Sequence, residues 1–360
     1  MSERPLVRPD EDGVVDISYS GLGEIAEAYR LPCGTDAAFS NPFLEFQATN
    51  CRISRIQNLD RCTSLRRLVL RQNLITELRG LETLSELEEI DLYLNHIREI
   101  SGLEHKPKLK RLDLSFNRIH SMAGLERFHL PALEELYLVQ NRIKEIAGLQ
   151  AHNLPQLRLL ELGSNRIRTL GDNLFEVGGS LEELWLGRNK IVQLPSLHCF
   201  RRLKRLSLQS NRLLALGSAL EYCRDSLEEL YLSHNGISAL NGTEMLRNLK
   251  LLDLGCNRIA RLDDLLDDLQ NLEELWLNDN KIDSIEQLRH LSAHAKLRTL
   301  YLEGNPLAER LQTQHGNKWY RALVLRVLPM LTQLDAEPID EETRALADSE
   351  HCECLWNREG

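Results

Sequence analysis

The chain has 360 residues, 42% of them hydrophobic and 27% charged, with a formal net charge of −10. A single compact core of this length ordinarily divides into domains, a limit that stacked repeats escape because each unit packs only on its neighbours. No run of about 18 apolar residues is present, which excludes a helical membrane span, and the opening Met1-Ser2-Glu3-Arg4-Pro5 lacks the apolar stretch of a secretory leader.

Residues 1–11 are expected to be disordered. Val15, Ile17, Leu22 and Ile25 have the spacing of a degenerate repeat, and a loop with Pro32, Gly34 and Pro42 follows, so 12–42 reads as an irregular N-terminal cap. From 43 to 310 one pattern recurs. Leu65, Leu68, Leu70, Asn73, Ile75 and Leu78 set it out, and Leu87, Ile90, Leu92, Asn95, Ile97 and Ile100 repeat it. The asparagine returns at 117, 141, 165, 189, 211, 235, 257, 280 and 305, and Cys51 takes its place in an earlier copy. That makes about twelve copies, spaced 22 to 25 residues apart. Alternating leucines make a short strand with one face inward. The asparagine turns the chain, and its amide can bond backbone groups that the turn strands inside. Repeats this short leave room for only a brief helical turn on the return side.

A C-terminal cap is expected at 311–335. Within it, Asn317 starts a helix whose apolar face is Trp319, Tyr320, Leu323, Val324, Val327 and Leu328, ended by Pro329. Leu331 and Leu334 have the look of a last, truncated strand. The tail 336–360 carries eight acids and two arginines and is expected to be disordered. The eight cysteines show no paired spacing outside this tail, which points to a reducing intracellular compartment. Together these features define the fold class: an α/β solenoid, a leucine-rich-repeat horseshoe with a parallel concave sheet, short helical turns on the convex side and a C-terminal cap helix.

The residues between the strand leucines are free of scaffold duty. Over twelve copies they include twelve acids and five arginines, a net −7 on the concave face. The mid-strand place reads Gln47, Val69, Asp91, Asp113, Tyr137, Glu161, Trp185, Ser207, Tyr231, Asp253, Trp276 and Tyr301. Rings interleaved with carboxylates are the composition of a protein interface, because aromatics supply contact area and acids supply steering. The competing reading is that the rings pack along the sheet as cross-strand neighbours. Twelve strands span roughly 55 Å, matched to a compact partner about 50 Å across.

Catalytic patterns are missing: no G-x-S-x-G, H-E-x-x-H, Walker loop or G-x-G-x-x-G occurs, so no enzyme is expected and no cofactor or metal is implied. His351-Cys352-Glu353-Cys354 has no further ligands beside it and reads as incidental. An acidic face repels phosphates, so no nucleic acid partner is expected.

The variable positions carry a resemblance beyond the repeat. The stretches are Leu-Arg-Gln-Asn-Leu-Ile at 70–75, Leu-Glu-Leu-Gly-Ser-Asn-Arg-Ile-Arg at 160–168 and Leu-Ser-Leu-Gln-Ser-Asn-Arg-Leu at 206–213. Glu-Leu-Tyr-Leu-Ser-His-Asn-Gly-Ile at 229–237, Leu-Trp-Leu-Asn-Asp-Asn at 275–280 and Asn305-Pro306-Leu307 add to them. Together with the cap, these resemble the leucine-rich-repeat regulatory subunits of protein phosphatase 1, the regulatory subunit 7 family. The resemblance implies a non-catalytic subunit of the nucleus and cytoplasm that grips the type 1 phosphatase catalytic subunit and controls its activity or maturation. It also implies a small disordered inhibitor as a third partner. It places the contacts at Asp113, Tyr137, Glu161, Trp185, Asp253, Glu274, Trp276 and Tyr301, and the mid-strand row adds Tyr231 to the candidate partner-binding residues. The competing expectation is an intracellular adaptor of a ciliary or spliceosomal complex.

Overall fold

A computed structural model of the chain describes residues 9–21, 23, 43–262, 266 and 268–359. They belong to two compact units, Met1–Leu184 and Trp185–Gly360.

In the first unit, short strands follow one another at every repeat: β1 (Val14–Asp16), β2 (Glu45–Gln47), β3 (Arg67–Val69), β4 (Glu89–Asp91), β5 (Arg111–Asp113), β6 (Glu135–Tyr137) and β7 (Leu159–Glu161). Each pairs in parallel with the next. The central residues Phe46, Leu68, Ile90, Leu112, Leu136 and Leu160 stand side by side in the core. The strand β8 (Glu183–Trp185) lies at the division in the chain.

The second unit continues with β9 (Arg205–Ser207), β10 (Glu229–Tyr231), β11 (Leu251–Asp253), β12 (Glu274–Trp276), β13 (Thr299–Tyr301) and β14 (Gln333–Leu334), again parallel. A last strand, β15 (Glu337–Pro338), runs antiparallel to β14. The twelve expected repeat strands are therefore all present, from β2 to β13.

The asparagines explain why so short a strand suffices. Asn73 Oδ1 accepts the amides of Cys51 and Ile53 at 3.0 Å each. Its Nδ2 donates to the carbonyls of Ala48, Leu70 and Arg71 at 2.7, 3.1 and 3.0 Å. Each side chain thus closes its own turn and clamps the turn before it. Asn141 repeats the arrangement, with the Ile119 amide and the carbonyls of Leu114, Leu138 and Val139. So does Asn257 in the second unit, with the Ile237 amide and the carbonyls of Leu232, Leu254 and Gly255. The residue before the asparagine takes a left-handed conformation, as at Gln72 (φ 55°), Leu94 (φ 56°), Phe116 (φ 57°) and Ser164 (φ 56°). On the return side Gly102 (φ 69°) lies so close to the preceding repeat that a Cβ would meet the Leu78 carbonyl oxygen at 1.8 Å.

Helical structure is brief until the C-terminal end. α1 spans Asp172–Glu176, and 3-10 turns occupy Ala123–Arg127, Glu221–Cys223 and Ile285–Leu291. Then come α2 (Pro306–His315) and α3 (Asn317–Val327). The helix expected at Asn317 is α3, and it ends one residue before Leu328. α2, with Asn305 as its N-cap and Pro306 in its first turn, was not anticipated.

The tail corrects an expectation. Instead of disorder at 336–360, the chain forms β15, α4 (Glu341–Ala347) and α5 (Glu350–Glu359). Ala347, Cys352 and Leu355 are buried. The buried Arg321 anchors the segment from α3: its guanidinium donates to the carbonyls of Leu334 and Pro338 at 3.0 and 2.7 Å. Arg344 returns bonds to the carbonyls of Pro329 and Leu331. His351 packs against Trp319 with ring centroids 4.6 Å apart. Of the N-terminal cap expected at 12–42, the structure places a strand at Val14–Asp16; residues 1–8, 22 and 24–42 lie outside the described residues. Among the described residues no helix is long and apolar enough to cross a membrane.

Candidate protein interface

The side chains flanking each central leucine point away from the core and form two rows on the open face of the sheet. Strand register fixes which residues stand together. In the first unit the first row is Glu45, Arg67, Glu89, Arg111 and Glu135. Its signs alternate, and the row pairs with itself: Arg67 reaches Glu45 and Glu89 at 2.9 Å, and Arg111 reaches Glu135 at 3.3 Å and Glu89 at 3.7 Å. In the second unit Arg205 likewise reaches Glu229 at 3.0 Å.

The second row is the mid-strand place, and it is built differently. Asp91, Asp113, Tyr137 and Glu161 stand in register in the first unit. Ser207, Tyr231, Asp253, Trp276 and Tyr301 do so in the second. Asp91 is met by Arg71. Asp113, Glu161 and Asp253 form no ion pair among the described residues. Each accepts the amide two residues on, from Ser115 at 2.9 Å, Gly163 at 2.7 Å and Gly255 at 3.0 Å. Glu274 also forms no ion pair among the described residues.

Desolvation therefore dominates Asp113, Glu161 and Asp253. Asp113 and Asp253, which sequence reasoning placed in the open, are only 6% and 4% exposed. Burial raises both carboxyls above the ordinary aspartate range, against the bonds from Ser115 and Gly255 that lower them. Burial pushes Glu161 up to about 7. An acid that loses hydration and gains no cation costs stability, so the scaffold draws no benefit from it in the free protein.

The rings are half-buried rather than projecting, and their own chain holds them. Trp185 stacks on Tyr231 at 5.9 Å, and Trp276 meets Tyr301 edge-on at 5.6 Å. The hydroxyls of Tyr137 and Tyr231 donate to Glu135 and Glu229 at 2.9 and 2.8 Å. Arg111 lies 4.7 Å from the Tyr137 ring centre. Gln333 donates to the Tyr301 hydroxyl at 3.0 Å. The buried Trp276 Nε1 has no acceptor among the described residues. The register thus joins Asp113, Tyr137 and Glu161 in one unit, and Tyr231, Asp253, Glu274, Trp276 and Tyr301 in the other, with Trp185 against Tyr231.

Sequence reasoning missed an apolar rim beside Asp91 and Asp113 of the mid-strand row. Tyr93 and Phe116 have ring centroids 4.9 Å apart, and Leu94 and Phe116 are exposed. Their alignment one repeat apart was the available signal.

Comparison with known proteins bears on this surface. Family models described as leucine-rich repeat match residues 216–352 and the overlapping stretches 107–167, 131–191 and 155–213, and a two-copy leucine-rich-repeat model matches 63–105. The protein phosphatase 1 regulatory subunit SDS22 of Schizosaccharomyces pombe is 40% identical over 77 residues, 21% of this chain and 22% of that protein. The protein phosphatase 1 regulatory subunit pprA of Dictyostelium discoideum is 38% identical over 71 residues, 20% of this chain and 19% of that protein. The human cilia- and flagella-associated protein 410 is 39% identical over 93 residues, 25% of this chain and 34% of that protein. The chain thus spans about a third or less of the length of these relatives. Among solved structures, an internalin of Listeria monocytogenes superposes with TM-score 0.61 at 22% identity, over 81% of this chain and 86% of that one. A leucine-rich-repeat protein of Leptospira interrogans does so with TM-score 0.60 at 23% identity, over 89% and 94%.

Proposed function

The chain belongs to the leucine-rich-repeat family, and from that premise we propose that it is a non-catalytic subunit that binds the catalytic subunit of a type 1 protein phosphatase through the open face of its sheet. The observation that carries this reading is the mid-strand row, in which desolvated carboxylates without cations alternate with rings fixed by their own neighbours. Fixed rings lose little freedom on binding. Asp113, Glu161 and Asp253 are the places where a partner's arginine or lysine recovers the lost hydration. Tyr137, Trp185, Tyr231, Glu274, Trp276 and Tyr301 complete the contact set. The phosphatase reading is supported by two relatives of similar identity that are phosphatase 1 regulatory subunits. The second reading, an adaptor of a ciliary complex, draws on the similarity to cilia- and flagella-associated protein 410.

The test is a calorimetric titration of the chain with purified type 1 catalytic subunit. Wild type should saturate at one to one, and the Asp113→Lys, Glu161→Lys variant should lose the binding. A flat wild-type titration sinks the phosphatase reading and leaves the adaptor reading standing.

A further inference from the structure

We infer that the flank where the first unit's chain leaves its strands is a second interaction surface, one that takes an acidic polypeptide segment. The residue after each ladder asparagine donates its amide to an isoleucine carbonyl of the preceding repeat: Arg118 to Ile97, Arg142 to Ile119 and Arg166 to Ile143, all at 2.8 Å. This second ladder holds successive side chains in line, one repeat apart, about 4.8 Å at the sheet. Two places further on stand Arg98, Lys144 and Arg168. All six cations are exposed except Arg118, which is half-buried.

Charge makes the flank unusual. Over 95–99, 117–121, 141–145 and 165–169 there are six arginines and lysines against Glu99 and Glu145, a net +4. The open-face places of the same four repeats hold Glu89, Asp91, Asp113, Glu135 and Glu161 against Arg111, a net −4. The two surfaces are separated only by the asparagine turn. None of the six cations forms an ion pair among the described residues. On the other flank, where the chain enters the strands, the cations are paired: Lys108 with Glu86 at 2.6 Å, Lys110 with Glu88 at 2.7 Å and Arg158 with Glu134 at 2.6 Å. The same repeats thus neutralise one flank with their own acids and leave the other open.

The occupant follows from what the flank lacks. Phe, Tyr and Trp are absent from these four stretches, so the cation row itself carries no ring of the kind on which single-stranded nucleic acid stacks its bases. The adjoining −4 face repels a continuous phosphodiester backbone. An extended peptide presents its alternate side chains to one side, and its glutamates and aspartates can meet the cation row with uncharged residues turned away. None of the six cations belongs to the mid-strand row, so the surface stands apart from the phosphatase reading.

The test uses the full chain and a fluorescein-labelled peptide of about twelve residues, alternating glutamate and serine, long enough to pass all four repeats. Fluorescence anisotropy should show saturable binding that weakens as salt is raised. The Arg142→Glu, Lys144→Glu, Arg166→Glu variant should bind at least about tenfold more weakly, and the corresponding glutamine variant should weaken it by a lesser factor. Both should keep the wild-type melting curve. Arg61→Glu, Arg66→Glu, Lys108→Glu, the same change in net charge on the strand-entry flank, should alter affinity by less than about threefold. The inference is overturned by no saturable binding to wild type, by equal weakening in both charge-reversed variants, or by tighter binding of an oligouridylate of equal length.

Discussion

The asparagine ladder and the mid-strand row lie a few residues apart in every repeat, yet they treat polar groups in opposite ways. Asn141 fills its amide completely, accepting from Ile119 and donating to Leu114, Leu138 and Val139. Glu161, on the next strand, is desolvated and receives one amide. A buried polar group that is fully bonded specifies the fold, and one left short of partners costs stability until something else supplies them. The contrast separates what the chain needs to fold from what it keeps for a partner. It also divides the acids of the open face, since the alternating row from Glu45 to Glu135 is satisfied within the chain.

Removing a ladder member should have the largest effect on stability. Asn141→Ala leaves the Ile119 amide and the inner carbonyls short of a partner, and should lower stability by about 3 kcal/mol, read from the urea midpoint. A loss under about 0.5 kcal/mol would mean that water replaces the amide and would erase the contrast. Next in size is the tail. Deleting 341–360 uncovers α3 and removes the bonds from Arg344, and should cost about 2 kcal/mol through lost apolar burial. An unchanged melting curve would show that the tail is an ornament of the cap.

The smallest effect should come from Glu161→Gln. Its folded pKa is raised to about 7 by burial, so the ionised form opposes folding. The cost is absent below the ordinary glutamate range, accrues as pH rises from there towards 7, and is fully present above it. The variant should therefore melt about 1–2 °C above wild type at pH 8 and equal to it near pH 4. The same group sharpens the binding side of the contrast. Phosphatase affinity of wild type should rise with pH through 7, and the glutamine variant should lose that slope.

Much of the scaffold was legible. The recurrence of asparagine at 22 to 25 residues gives the strand count, because the turn chemistry repeats with it. The cap helix at Asn317 was legible from its apolar periodicity and from Pro329. The tail was misread because eight acids suggested disorder, while Thr343 with Ala347 in α4 and Cys352 with Leu355 in α5, each pair at helical spacing, are enough to seat the two helices. On the open face, composition named the rings and acids but treated the acids alike. Their split follows from register: Glu45, Arg67, Glu89, Arg111 and Glu135 hold the same place in five successive copies, and aligning the repeats by that place would have shown it. The burial of Asp113 and Asp253 was less accessible. It depends on how neighbouring rings lie along the sheet, with Asp253 standing between Tyr231 and Trp276.

The most direct measurement of the central claim pairs a titration with a melt. Trp185→Ala, Trp276→Ala should lose about 4 kcal/mol of affinity for the type 1 phosphatase catalytic subunit. Both rings are half-buried on the open face, where Trp185 stacks on Tyr231 and Trp276 meets Tyr301, so the melting temperature should fall by no more than about 5 °C. Wild-type affinity in the double variant, or collapse of its fold, would contradict the account and return the rings to the scaffold.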